Sequence, residues 1–176
     1  MSGETPDSVR AGPAQPDAIG ERQTQASLTP RLRARLARHP PGTPYASCDD
    51  PPPAGLRKGI AEFNQREYFA CHETLEALWI AEPGPARTLY KGILQVGVGC
   101  YHLLRHNYRG ASLKLQSGTE YLAAFAPRCM GVDVARLIRE ARALRATMLA
   151  LGPERFEQID LTLLPQVHLD APQDDS

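Results

Sequence analysis

Within the stretch from Glu67 to Trp79, His72, Glu73 and Glu76 place an imidazole and two carboxylates at helical spacing among aromatic rings. At about 100° per residue, Tyr68, His72, Glu76 and Trp79 fall on one stripe, with Phe69 at its edge and Glu73 at its border. A carboxylate is rarely buried unless paired or bound, so His72 and Glu76 on a largely apolar helix call for an account. A second stretch, Lys91 to His106, is apolar or glycine at nearly every position except a stripe of Lys91, Gln95, His102 and His106, with Gly99 among them. Gly99 beside Gln95 and His102 leaves space for a partner side chain or a small ligand. If the two helices pack together, His72, Glu73, Glu76, Gln95 and His102 converge.

Such a cluster supports three chemistries. In the first, His72 and Glu76 bind one divalent ion (zinc, manganese or iron), His102 supplies a third ligand, and Glu73 is the general base for metal-assisted hydrolysis. Against it, the chain lacks the paired Glu-x-x-His motifs of di-iron bundles and the His-Glu-x-x-His of zinc proteases. In the second, Tyr68, Trp79 and Tyr101 beside Lys91 and Gln95 hold a small ligand or a peptide of a protein partner. In the third, the cluster is a structural hydrogen-bond network. Glu76 accepts from His72 or His102, Gln95 bridges the helices, and Trp79 donates its indole N–H. Buried polar groups usually find protein partners, which favours this last reading over the catalytic one.

The elements that position these groups are helical almost throughout. The periodicity predicts helices over about 54–64, 67–81, 86–106, 109–125 and 132–150, separated by turn and breaker residues such as Pro83-Gly84-Pro85. Val134, Ile138, Ala141, Leu144 and Met148 form the inward face of the last. An echo at an offset of 41, Phe63-x6-Ala70 against Leu104-x6-Ala111, suits two stacked hairpins. The expected fold is all-α, a bundle or array of about five helices built on two helical hairpins. Ten of the sixteen prolines lie in residues 1–53, which read as a mostly disordered arm with a short basic helix at Leu28–His39. Residues 54–151 read as the helical domain and 152–176 as an irregular acidic tail.

Composition excludes several classes. The 20 basic and 20 acidic residues cancel, so no overall field recruits nucleic acid or an anionic membrane. Residues 51–150 carry 13 basic and 8 acidic groups against 1 and 6 in 151–176, so the tail either folds over a basic face or stays solvated. No apolar run is long enough to span a bilayer, and the first residues lack a signal-peptide pattern, which makes the cytoplasm the expected compartment. Four scattered cysteines without a C-x-x-C indicate neither a zinc knuckle nor a disulfide framework, and Cys71 falls on the core face with Leu75 and Leu78. No glycine-rich nucleotide loop is present.

Phe63-Asn64, Tyr68-Phe69-x-x-His72-Glu73-x-x-Glu76-x-x-Trp79, Lys91-Gly92-Ile93-Leu94-Gln95, and His102 with Asn107-x-x-Gly110-Ala111 together resemble the family called domain of unknown function 309. The resemblance covers about residues 54–126. It implies a small all-α protein with His72, Glu73, Glu76, Trp79, Gln95 and His102 in signature positions. It implies no activity.

Overall fold

The computed structural model describes residues 45–170, in which five helices dominate: α1 (Ala54–Asn64), α2 (Tyr68–Ala81), α3 (Ala86–Leu104), α4 (Tyr108–Leu122) and α5 (Val134–Leu151). The all-α expectation is met, and each helix packs chiefly on its neighbour in the chain. The expected order and number of helices hold among the described residues, with no end displaced by more than three residues. The basic segment at 28–39 and the arm up to residue 44 lie outside the described residues, as do residues 171–176.

The long α3 is central because most of its girth is apolar: Leu89, Ile93, Val96, Gly97, Cys100 and Leu103 are all buried. It lies between α2 and α4. On the α4 side glycines set the approach. A Cβ at Gly92 would meet Leu122, and one at Gly118 would lie 2.8 Å from Val96 N and 3.1 Å from Gly92 O. The interior of α5 is the one its periodicity predicts, with Val134, Ile138, Ala141, Leu144 and Met148 buried and Leu137 beside them.

The internal echo is present, but at an offset of 40 rather than 41. The turn from Asn64 to Tyr68 recurs from Leu104 to Tyr108. In the first, Arg66 N donates to Phe63 O and Glu67 N to Glu62 O; in the second, His106 N donates to Leu103 O and Asn107 N to His102 O. Both are Schellman turns with a left-handed residue, at φ 63° for Arg66 and 58° for His106, where glycine is the usual occupant. The corrected register aligns Gly59 with Gly99, Tyr68 with Tyr108 and Leu75 with Leu115. It also explains the glycines: a Cβ on Gly59 would meet Leu75 at 2.6 Å, and one on Gly99 would meet Leu115 at 2.8 Å. The space expected beside Gly99 is therefore filled by Leu115 and is no ligand pocket.

Two further features depart from expectation. Arg128–Cys129 pairs antiparallel with Val132–Asp133, a short ribbon that the all-α expectation does not include. Met130 and Gly131 both take positive φ, 49° and 72°, as a two-residue hairpin turn of the primed type requires. Methionine is an uncommon first residue there, which hides the turn from a search for Asn-Gly or Asp-Gly. Cys48 and Cys129, 81 residues apart, form a disulfide, contrary to the reading that the scattered cysteines indicate none. Spacing could not show this pairing, because it is the fold that brings the ribbon beside Ala46–Asp50; Met130 N donates to Cys48 O at 2.7 Å.

Residues 152–170 are irregular, with 3-10 turns at Phe156–Gln158 and Leu161–Leu163. They cover the core with Phe156, Ile159, Leu164 and Val167. Asn64 holds Val167 from both sides, donating Nδ2 to its carbonyl at 2.9 Å and accepting its N–H at 2.8 Å. The tail's acidic groups meet basic ones: Glu157 lies 3.2 Å from His106, and Asp170 pairs with Arg128. Both pairs are exposed and add little to stability.

Candidate functional site

Of the groups singled out in the sequence, Trp79, Lys91 and Gln95 sit on the open face where α3 lies between α2 and α4. On α2, His72 and Glu76 stand one turn apart with Nδ1 and Oε2 3.9 Å from each other, and both side chains are well solvated. This is a loose pair on an accessible stripe. It is not the interior of a closed network. Glu73 is exposed, with no ion pair or hydrogen bond to His72, Glu76 or His102 among the described residues. Tyr68, by contrast, is buried and packs edge-on against Phe63 at 5.4 Å between ring centroids. Its hydroxyl is pushed strongly upward in pKa, first by burial and then by the adjacent Cys100 thiol. Burial likewise pushes the Cys71 and Cys100 thiols up to about 12, which keeps both as inert core groups.

The three-ligand arrangement expected of His72, Glu76 and His102 does not form. Among the described residues no three His, Cys, Asp or Glu side chains come together as a metal-holding group. The reason lies in helix geometry, since His102 is drawn to the end of α3, where its Nδ1 lies 3.3 Å from Asn107 Nδ2. Asn107 in turn caps α4, accepting the Gly110 N–H at 2.8 Å. Burial, together with the Lys114 ammonium, pulls the His102 imidazole below its ordinary pKa, so the neutral ring is favoured and can accept from Asn107. Because the folded value is depressed, the contribution of His102 to stability is full above its unfolded pKa. It is lost as pH falls through the folded one. Histidine titration by NMR is expected to place His102 below the ordinary histidine value, and Lys114→Ala to raise it; an unchanged midpoint in that variant would remove Lys114 as a cause.

What the fold does assemble is a cation–aromatic cluster. Lys91 Nζ lies 5.4 Å from the centroid of Trp79 and 4.5 Å from that of Tyr121, and the Arg87 guanidinium lies 5.5 Å from Trp79. The lysine thus bridges α2 and α4 from the middle helix. One turn further along α3, Gln95 Oε1 accepts from Ser117 Oγ at 3.5 Å. Cation–π contacts of this exposed kind are worth about 0.5–1 kcal/mol each, enough to orient a side chain without fixing it. Trp79 donates no hydrogen bond among the described residues, so the network expected to close through its indole N–H is not made.

Trp79 and Lys91 therefore meet, with Gln95 one turn further along α3, while His102 stays at the far end of the face and Tyr68 and Gly99 belong to the interior. Arg87, Lys114, Ser117 and Tyr121 went unread. A signal for three of them was present, because Lys114, Ser117 and Tyr121 follow helical spacing on α4 and form the stripe opposite Trp79.

Residues 56–113 match the family described as Domain of unknown function (DUF309). The matched span runs from the first turn of α1 into α4, so it takes in both Schellman turns and every group of the face except Lys114, Ser117 and Tyr121. The chain is also similar to the uncharacterized protein YpuF of Bacillus subtilis (strain 168), with 31% identity over 113 residues. That alignment covers 56% of this chain and 65% of YpuF, so the chain spans somewhat less than two thirds of that relative's length. No solved structure matches the chain.

Proposed function

With residues 56–113 forming a DUF309 domain, whose family description assigns no activity, we propose that the chain is a binding module that docks a carboxylate-rich segment of a protein partner across α2, α3 and α4. The observation that carries this reading is Lys91, held over the rings of Trp79 and Tyr121 with Arg87 beside it on a solvent-accessible face. Rings beneath a lysine and an arginine supply flat apolar area at low entropic cost, and the cations above them supply charge for an acidic group. Gln95 and Ser117 offer hydrogen bonds on the same face.

Trp79 is the only tryptophan in the chain, so its emission reports on this face alone. Titration with an oligoglutamate peptide is expected to change Trp79 emission saturably, weaken with added salt, and be at least about tenfold weaker in Lys91→Glu. No change, or the same change in that variant, would sink the reading. A metal reading on His72 and Glu76 draws support from their shared stripe. It separates from the docking reading in the same preparation, because zinc or manganese retained in proportion to the protein, and lost in both His72→Ala and Glu76→Gln, would favour the ion.

A further inference from the structure

A second site lies beneath the C-terminal segment and shares no residue with the Trp79–Lys91–Tyr121 cluster. There a cleft of about 350 Å³ opens between the α1–α2 turn, α5 and residues 162–168. Its size is at the low end of small-molecule sites. Its polar lining includes groups from three separate parts of the chain: Arg66 from the left-handed turn position, Arg136 and Glu140 from α5, and His168 from the segment itself.

These groups are unevenly satisfied. Both oxygens of Glu140 are taken, Oε1 by Arg136 Nε at 2.7 Å and Oε2 by the Gln166 N–H at 3.0 Å. Although burial alone would raise its pKa, the Glu140 carboxyl is held below its ordinary value by those two donors, so it is an anion at neutral pH. Arg66 gives one N–H to Leu161 O at 3.2 Å. The remaining N–H groups of both guanidiniums have no partner among the described residues. His168 Nε2 is sealed from solvent and is likewise without a hydrogen-bond partner there. A nitrogen without accessible surface is out of reach from the cleft, so the donors open to a ligand there are those of the two guanidiniums. Two guanidiniums against one carboxylate leave a single positive charge unmatched. Leu163 and Leu164 add apolar wall.

The geometry points to a binding site for a small organic acid bearing one carboxylate, its charged end toward Arg66 and Arg136 and a short hydrocarbon body against Leu163 and Leu164, beside the His168 ring. A planar carboxylate matches the guanidinium fork, and a single charge matches the local excess.

The full chain titrated with sodium butyrate, and separately with inorganic phosphate, tests this when the histidine ring resonances are followed by NMR. Butyrate is expected to move His168 saturably while His72 and His102 stay in place. Arg66→Gln is expected to weaken binding at least about tenfold. Because that change also removes the bond to Leu161, Ala143→Phe serves as a second variant. It fills the cleft from an exposed position of α5 while every charged residue of the lining stays in the sequence, and should abolish the His168 response. A His168 resonance indifferent to butyrate, a response that survives both variants, or tighter binding of phosphate than of butyrate would each overturn the assignment.

Discussion

Reduction of the Cys48–Cys129 bond, or Cys48→Ser, is expected to lower the unfolding free energy by about 3–5 kcal/mol. The size follows from the loop. The two cysteines are 81 residues apart, and closing a loop of that length removes much of the unfolded chain's freedom. Cys48 is the better residue to replace, since it is exposed while Cys129 is buried, and serine there creates no cavity. Thermal unfolding with and without a reductant is the check. The melting temperature should fall by roughly 10 °C or more for a chain of this size. Equal stability of the oxidised and reduced protein, or two free thiols at these positions by mass, would refute the expectation. The result bears on location as well, because structural disulfides persist in oxidising compartments. In the cytoplasm expected from the sequence, the protein would work in the less stable, reduced form.

Gly118→Ala carries the next largest effect. Alanine normally gains about 1 kcal/mol over glycine within a helix. At Gly118 the added methyl would sit 2.8 Å from Val96 N and 3.1 Å from Gly92 O, and backbone atoms cannot rotate aside. Overpacking of this kind typically costs about 1–3 kcal/mol, so the helices must separate and the net change is destabilising. Gly55→Ala is the matched control, because its Cβ would touch only the far end of Leu78, at 3.2 Å. It should be neutral or stabilising. Urea unfolding of the two variants checks the sign, and a stabilised Gly118→Ala would show that α3 and α4 have room to give. Since Lys91 reaches across this interface to Tyr121, the same variant should loosen the cation–aromatic cluster.

The helical order was legible because it is written in local periodicity and in breakers such as Pro83-Gly84-Pro85. The repeat was legible as two hairpins but not in register. Matching Ala70 to Ala111 favoured identical side chains, whereas the true pairing of Ala70 with Gly110 is fixed by the left-handed residues Arg66 and His106. Such residues are usually glycine or asparagine, so arginine and histidine conceal the turn. At the candidate site, the α2 stripe and Lys91 could be read from helical phase. Which partner Lys91 meets depends on the packing of three helices, and phase within one helix is silent about it. The disulfide and the cleft were illegible for the same reason, since both join segments distant in the chain.

The order in which helices neighbour one another has a kinetic consequence. Because α1 meets α2, α2 meets α3, and so on along the chain, most native contacts can form by zipping between sequence neighbours, the topology of rapid folders. The bonds between Asn64 and Val167, across 103 residues, lie outside that local ladder and must wait for loop closure over most of the chain. The helical array can therefore assemble before the segment that roofs the Arg66–Arg136 cleft comes to rest, so that the cleft is the last part of the molecule to exist during folding and the first to be lost.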